Sequence, residues 1–225
     1  MGRQKEVRFK QIQENSNVLQ EGKPLFKLIK GNWGDSFFKN SNPIVLELGC
    51  GKGEYTVGLG RLFPEKNFIG IDIKGDRIAV GSNQAIHEGL TNVGFLRAKA
   101  HDLENFFTEN EVSEIWITFP DPHHLQSGVK RRMTNERFLE IYSTIIKDSG
   151  LLHLKTDCRP FFDYSLETLT NFGVNNLIHT NDLYKSDLNV SHYGIKTRFE
   201  EIFTEKGFSI NYLVCEFGIK KGTSI

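Results

Sequence analysis

The chain has 225 residues, enough for one large domain with a full central sheet. Lys plus Arg and Asp plus Glu both number 28, so the global charge gives no support for a nucleic-acid partner, which would have to be held by a local patch. The three cysteines, Cys50, Cys158 and Cys215, are too few and too scattered for a disulfide framework or zinc site, and no stretch reaches the roughly 18 apolar residues of a membrane span. No apolar leader follows Met1, and Glu6 stands where a myristoylation signal carries Ser or Thr. A cytoplasmic protein with no membrane or metal partner is expected, as a monomer or homodimer.

Residues 1–42 are polar and mixed, with apolar side chains only around Leu25, Phe26, Trp33, Phe37 and Phe38. They read as a flexible arm and a short helix ahead of a domain spanning 43–225. From Pro43 apolar runs predict strands at Ile44–Leu48, Phe68–Ile73, Val93–Leu96, Glu114–Phe119 and Leu151–Thr156. Segments of helical period separate or follow them: Tyr55–Phe63, Arg77–Glu88, Phe138–Ile146 and Phe161–Phe172. Strands that alternate with helices and are apolar on both faces predict a mostly parallel, doubly wound α/β sheet. Residues 174–192 read as irregular. Thr197–Phe203 then predicts a helix, and the alternation of Phe208–Phe217 a final strand, antiparallel and at or near an edge.

Gly49, Gly51 and Gly53 stand at a strand end just before a helix, where missing Cβ atoms let backbone and ligand approach closely. Position 54 is Glu rather than the glycine of a dinucleotide fingerprint, and no Lys-Ser/Thr pair follows as in a phosphate-cradling loop. Asp72, about 20 residues on, sits where a carboxylate takes a ribose diol. Together they suit an adenosyl ligand without phosphates, and Glu47 is placed to face an ammonium group. The fourth strand runs into Phe119-Pro120-Asp121-Pro122, which fixes the backbone on both sides of one carboxylate at the strand's carboxyl end. Lys130-Arg131-Arg132 follows closely; alone it reads as a solvated face, but beside an active loop it can seat the phosphates of a polynucleotide. Asp157 puts a second carboxylate on the same rim.

Leu46-Glu-Leu-Gly-Cys-Gly-Lys-Gly-Glu, Gly70-Ile-Asp-Ile, Phe119-Pro-Asp-Pro with its downstream Lys-Arg-Arg, Lys155-Thr-Asp and Thr197-Arg-Phe-Glu occur in that order. This set resembles the bacterial tRNA (guanine-N7-)-methyltransferases from about residue 24 to the C-terminus. The resemblance implies a seven-stranded, Rossmann-like class I methyltransferase sheet with an antiparallel C-terminal strand. It also implies S-adenosylmethionine as cofactor and methylation of guanine at position 46 in the variable region of tRNA. Carried over by motif, Glu47, Asp72 and the glycine loop (Gly49, Gly51, Gly53), with backbone near Ala100, hold the cofactor, and Asp121 is the catalytic carboxylate. Asp157, Thr197, Arg198 and Glu200 hold the target nucleotide, and Lys130, Arg131 and Arg132 hold the RNA. Three positions depart from the pattern: His123 replaces an aromatic residue, Leu125 a substrate lysine, and Lys99 an acidic cofactor contact. An amino-group methyltransferase is the nearest rival, but its Pro-Pro-aromatic ending is replaced by Pro122-His123-His124. A non-catalytic RNA-binding protein on the same scaffold is the other alternative.

Overall fold

Every residue of Ile44–Leu48, Asn67–Ile71 and Val93–Leu96 is buried. Strands buried on both faces need helices above and below them. The computed structural model, which describes residues 2–218, builds that arrangement. In chain order the elements are helix α1 (Gly2–Glu14), strand β1 (Val18–Leu19), β2 (Ile44–Leu48), α2 (Glu54–Leu62), β3 (Asn67–Ile71) and α3 (Gly75–His87). Then come β4 (Val93–Leu96), β5 (Val112–Thr118), α4 (Glu136–Ile145), β6 (Ile146–Thr156) and α5 (Arg159–Phe172). Strand β7 (Asn175–Thr180), α6 (Arg198–Glu205) and β8 (Asn211–Glu216) follow.

The sheet order is β1-β4-β3-β2-β5-β6-β8-β7. All neighbours pair in parallel except β8, which runs antiparallel to both β6 and β7. One face carries a core of Trp33, Phe107, Leu139, Tyr142 and Phe162; the other carries Tyr55, Phe95, Trp116 and Tyr212. Among the described residues no helix is long and apolar enough to cross a membrane.

Three expectations change. Among the described residues the sheet has eight strands rather than seven, because Val18 and Leu19 add a two-residue edge strand on β4. Residues 174–192 are not wholly irregular: Asn175–Thr180 forms the other edge strand, β7. Its residues are exposed or half-buried, so it lacks the apolar run that marks the inner strands, and its pairing with β8 is broken by a register shift. The final strand is therefore one place in from the edge. The segment ahead of Pro43 also folds back on the domain: Ile12 of α1 is fully buried, and Gly75 opens α3 with no side chain where a Cβ would lie 2.6 Å from Ile12.

Candidate active site

The strand order reverses between β2 and β5, the place where open sheets bind ligands. A cavity of about 370 Å³ opens there, beyond the carboxyl ends of both strands. The glycine loop forms one wall, Thr118 and Phe119 the floor, and Arg198, Phe199 and Ile202 of α6 the far side. A second cavity, of about 300 Å³, lies past the ends of β3 and β4 between Ile73, Ala98, Lys99 and Asp102. A larger cavity, about 730 Å³, is at the opposite end of the sheet beside Asn110, Thr144 and Lys147 and contains none of the motif residues. Convergent polar groups, not volume, identify the site.

The glycine loop is tied down from beneath. Gly49 and Cys50 donate their N–H groups to the Ile71 carbonyl at 2.8 and 3.0 Å, and Gly51 donates to Asp72 Oδ2 at 2.9 Å. Asp72 Oδ1 also accepts from Lys74 N at 2.9 Å, so this carboxylate joins the loop after β2 to the turn after β3. Gly49, Gly51 and Gly53 all have positive φ, of 70°, 56° and 74°. At Gly53 space is also limiting: a Cβ would lie 2.7 Å from the Phe95 ring, which packs equally tightly on Gly70 and Gly81. A Cβ on Gly51 would meet only the Gly49 carbonyl at 4.0 Å, so bare backbone faces the open cavity.

Glu47 does not line that cavity. It is 3% exposed, accepts from Thr56 N at 2.8 Å and from the Thr56 hydroxyl, and accepts from Thr118 Oγ1 at 2.7 Å. Burial pushes its carboxyl up to about 7 against the lowering effect of those hydrogen bonds. It reaches the cavity only through Thr118. Cys50 does line the cavity, but burial and the Glu47 and Asp72 carboxylates push its thiol far up, which makes it a poor nucleophile.

The Thr197-Arg-Phe-Glu motif is split by the helix it starts. Thr197 and Glu200 are both buried and cap α6 reciprocally: Glu200 N donates to Thr197 Oγ1 at 3.2 Å, and Thr197 N donates to Glu200 Oε2 at 3.3 Å. Glu200 also pairs with Lys155 at 2.7 Å, both side chains 0% exposed, and accepts from Tyr184 Oη at 2.7 Å. Burial pulls the Lys155 ammonium below its ordinary value while Glu200 resists. Arg198 and Phe199, in the middle of the motif, line the cavity together with Thr197, while Glu200 does not.

Phe119 and His123 flank the Pro-Asp-Pro turn with positive φ of 49° and 45°, a conformation that costs non-glycine residues energy. Asp121 is 73% exposed and accepts from His123 N at 3.0 Å. It lies outside both site cavities and points to water. Arg132 is not a free cation: it donates to the Pro122 and His123 carbonyls at 3.0 and 3.3 Å and stacks on Tyr164 at 4.5 Å, clamping the loop. Lys130 and Arg131 remain exposed. Asp157 is half-buried on the rim, and burial raises its carboxyl, partly offset by a backbone hydrogen bond and by His124 nearby. Ala100 opens a helical turn against the core, and its neighbours Lys99 and Asp102 reach the second cavity.

Lys52 and Arg77, absent from the sequence-derived set, also line the main cavity. Lys52 stood inside the glycine motif, but Arg77 in the first turn of α3 carries no local signal. Among the described residues no group of three His, Cys, Asp or Glu side chains is placed to hold a metal ion.

A family model described as "Putative methyltransferase" matches residues 41–213. The chain is 47% identical over 219 residues to a tRNA (guanine-N(7)-)-methyltransferase of Cytophaga hutchinsonii, covering 96% of this chain and 99% of that one. The protein of the same description from Christiangramia forsetii is 46% identical, covering 92% and 94%. Among solved structures, the 16S rRNA methyltransferase KamB superposes with a TM-score of 0.59 at 14% identity, over 79% of this chain and 88% of that one, a likeness of fold alone. The chain belongs to the tRNA (guanine-N(7)-)-methyltransferase family.

Proposed function

We propose that this protein transfers the methyl group of S-adenosylmethionine to N7 of a guanine in tRNA, at position 46 of the variable region, and that it works in the cytoplasm. The observation that carries this reading is one cavity with two walls: the Asp72-latched glycine loop on one side and the Arg198-Phe199 face of α6 on the other. Glycines with open backbone and no phosphate-binding lysine pair fit an adenosyl sulfonium ligand. The glycine loop and Asp72 hold it, with the backbone around Ala100 on its adenine side. When bound, it supplies a methyl group attached to positively charged sulfur.

Guanine N7 has an exposed lone pair, so no proton has to leave before attack. The protein therefore acts mainly by alignment. Methylation puts positive charge on the purine, and Asp121 stabilises that charge and orients the base. Asp121 stands in water until RNA covers the loop, and excluding water then strengthens its field. Arg132 holds the loop that carries it, while Lys130 and Arg131 meet phosphates. Asp157 and Arg198 face the target nucleotide; Thr197 and Glu200 serve it from below by fixing α6. Tritium transfer from S-adenosylmethionine to bulk tRNA, followed by nucleoside mass spectrometry, tests the reading. The expected product is 7-methylguanosine, lost when position 46 is changed to adenine. A methylated adenine, or no transfer at all, would overturn it.

A further inference from the structure

An aromatic cluster on α6 runs outward from the cavity wall, where Phe199 stands, to Phe208, which is not among the cavity's lining residues. Phe199 is 51% exposed and Phe208 is 53% exposed, both large apolar rings in water beside the mouth of the site. They share a support. Phe203, one helical turn after Phe199, lies 6.5 Å from it in a near-parallel stack (22°) and 6.1 Å from Phe208 edge-on (85°). Phe119, the residue with positive φ that follows β5, stacks on Phe203 at 6.2 Å. The platform is thus continuous with the cavity floor.

Its charge surroundings are sorted by helical spacing. At about 100° per residue, Arg198, Ile202 and Phe199 face the cavity, Phe203 lies just beyond Phe199, and Glu200 and Thr204 face inward. The exposed carboxylates Glu201 and Glu205 fall on the far side of Arg198 from the two phenylalanines. Lys206 is exposed two residues before Phe208. Rings held by an aromatic neighbour, flanked by cations and open to solvent, are a surface on which unpaired bases stack.

We infer that Phe208, backed by Phe203 and continuous through it with Phe199 at the cavity wall, forms a stacking platform for an unpaired nucleotide flanking the target guanine. The inference rests on the proposed RNA substrate and adds to it a contact that holds the strand open at the reacting base.

Phe208 lies outside the cofactor loop and the catalytic loop, so it is the residue to change. In Phe208→Leu, which keeps an apolar side chain but no ring, KM for tRNA should rise about tenfold, the scale of one lost base stack. Binding of S-adenosylmethionine should stay unchanged, and Phe208→Trp should restore the wild-type KM. A synthetic tRNA with an abasic nucleotide on one side of the target guanine should cost the wild-type enzyme a similar factor and cost Phe208→Leu nothing further. Wild-type kinetics in Phe208→Leu, or equal abasic penalties in both proteins on each side of the target, would overturn the platform. So would a dimer lost in Phe208→Asp with tRNA kinetics intact, which would assign the surface to a second copy. Wild-type failure to methylate tRNA would instead overturn the proposed substrate, a separate result.

Discussion

The two loops that meet at the carboxyl ends of β2 and β5 are built on opposite plans. The glycine loop is anchored from below by the Ile71 carbonyl and by Asp72, with its bare backbone toward the cavity. The Phe-Pro-Asp-Pro loop stands out from the surface with Asp121 in water, positive φ at Phe119 and His123, and one clamp, Arg132. The glycine loop, the proposed cofactor side, is fixed in place; the Phe-Pro-Asp-Pro loop, the proposed substrate side, is held in backbone but open in side chain. A small ligand can be received by a preformed pocket, whereas a large RNA brings its own surface to exclude water.

That contrast can be broken from either side. The largest effect is expected from Asp121→Ala, which should lower kcat for methyl transfer about 10²–10³-fold. It should leave S-adenosylmethionine affinity within error by calorimetry; unimpaired turnover would remove Asp121 from the chemistry. On the anchored side, Gly53→Ala forces a Cβ to within 2.7 Å of Phe95 at a φ of 74°. It should destabilise the protein by about 2–3 kcal/mol and weaken cofactor binding, with partial rescue by Phe95→Leu. A thermal melt equal to that of the wild type would contradict the packing described.

Within the basic run the comparison sharpens to single residues. Changing Lys130 and Arg131 together to Ala should weaken tRNA binding and reduce its salt slope by about 2, with kcat maintained at saturation. Arg132→Ala should instead lower kcat, because it releases the loop; identical behaviour of the two variants would abolish the distinction. Glu47 gives the most pH-dependent effect. Its carboxyl titrates near 4.5 when unfolded and about 7 when folded, so the native state holds the extra proton between those values. Stability therefore falls as pH rises from 4.5 to 7, and the loss is complete above 7. Glu47→Gln should reduce the stability difference between pH 5 and pH 8 by about 3 kcal/mol in denaturant titrations. An unchanged slope would place the titration elsewhere.

Much of the fold was legible because its signals are local. Five apolar runs and the glycines after Leu48 announced inner strands and the turn. β7 was hidden because an edge strand such as Asn175–Thr180 needs no apolar alternation, and β1 because two residues are too short for a pattern.

In the site, sequence order was enough to name the motif residues and the family, since glycine conformational freedom, proline restriction and carboxylate charge belong to residue types. It could not say which way each side chain turns. Glu47 faces Thr56 and Thr118 rather than the cavity, Glu200 faces Lys155, and Arg132 faces its own loop. Those directions are decided by partners 9 to 71 residues away along the chain, which only the folded structure brings within hydrogen-bonding reach. A buried charge must have such partners, and no motif states who they are.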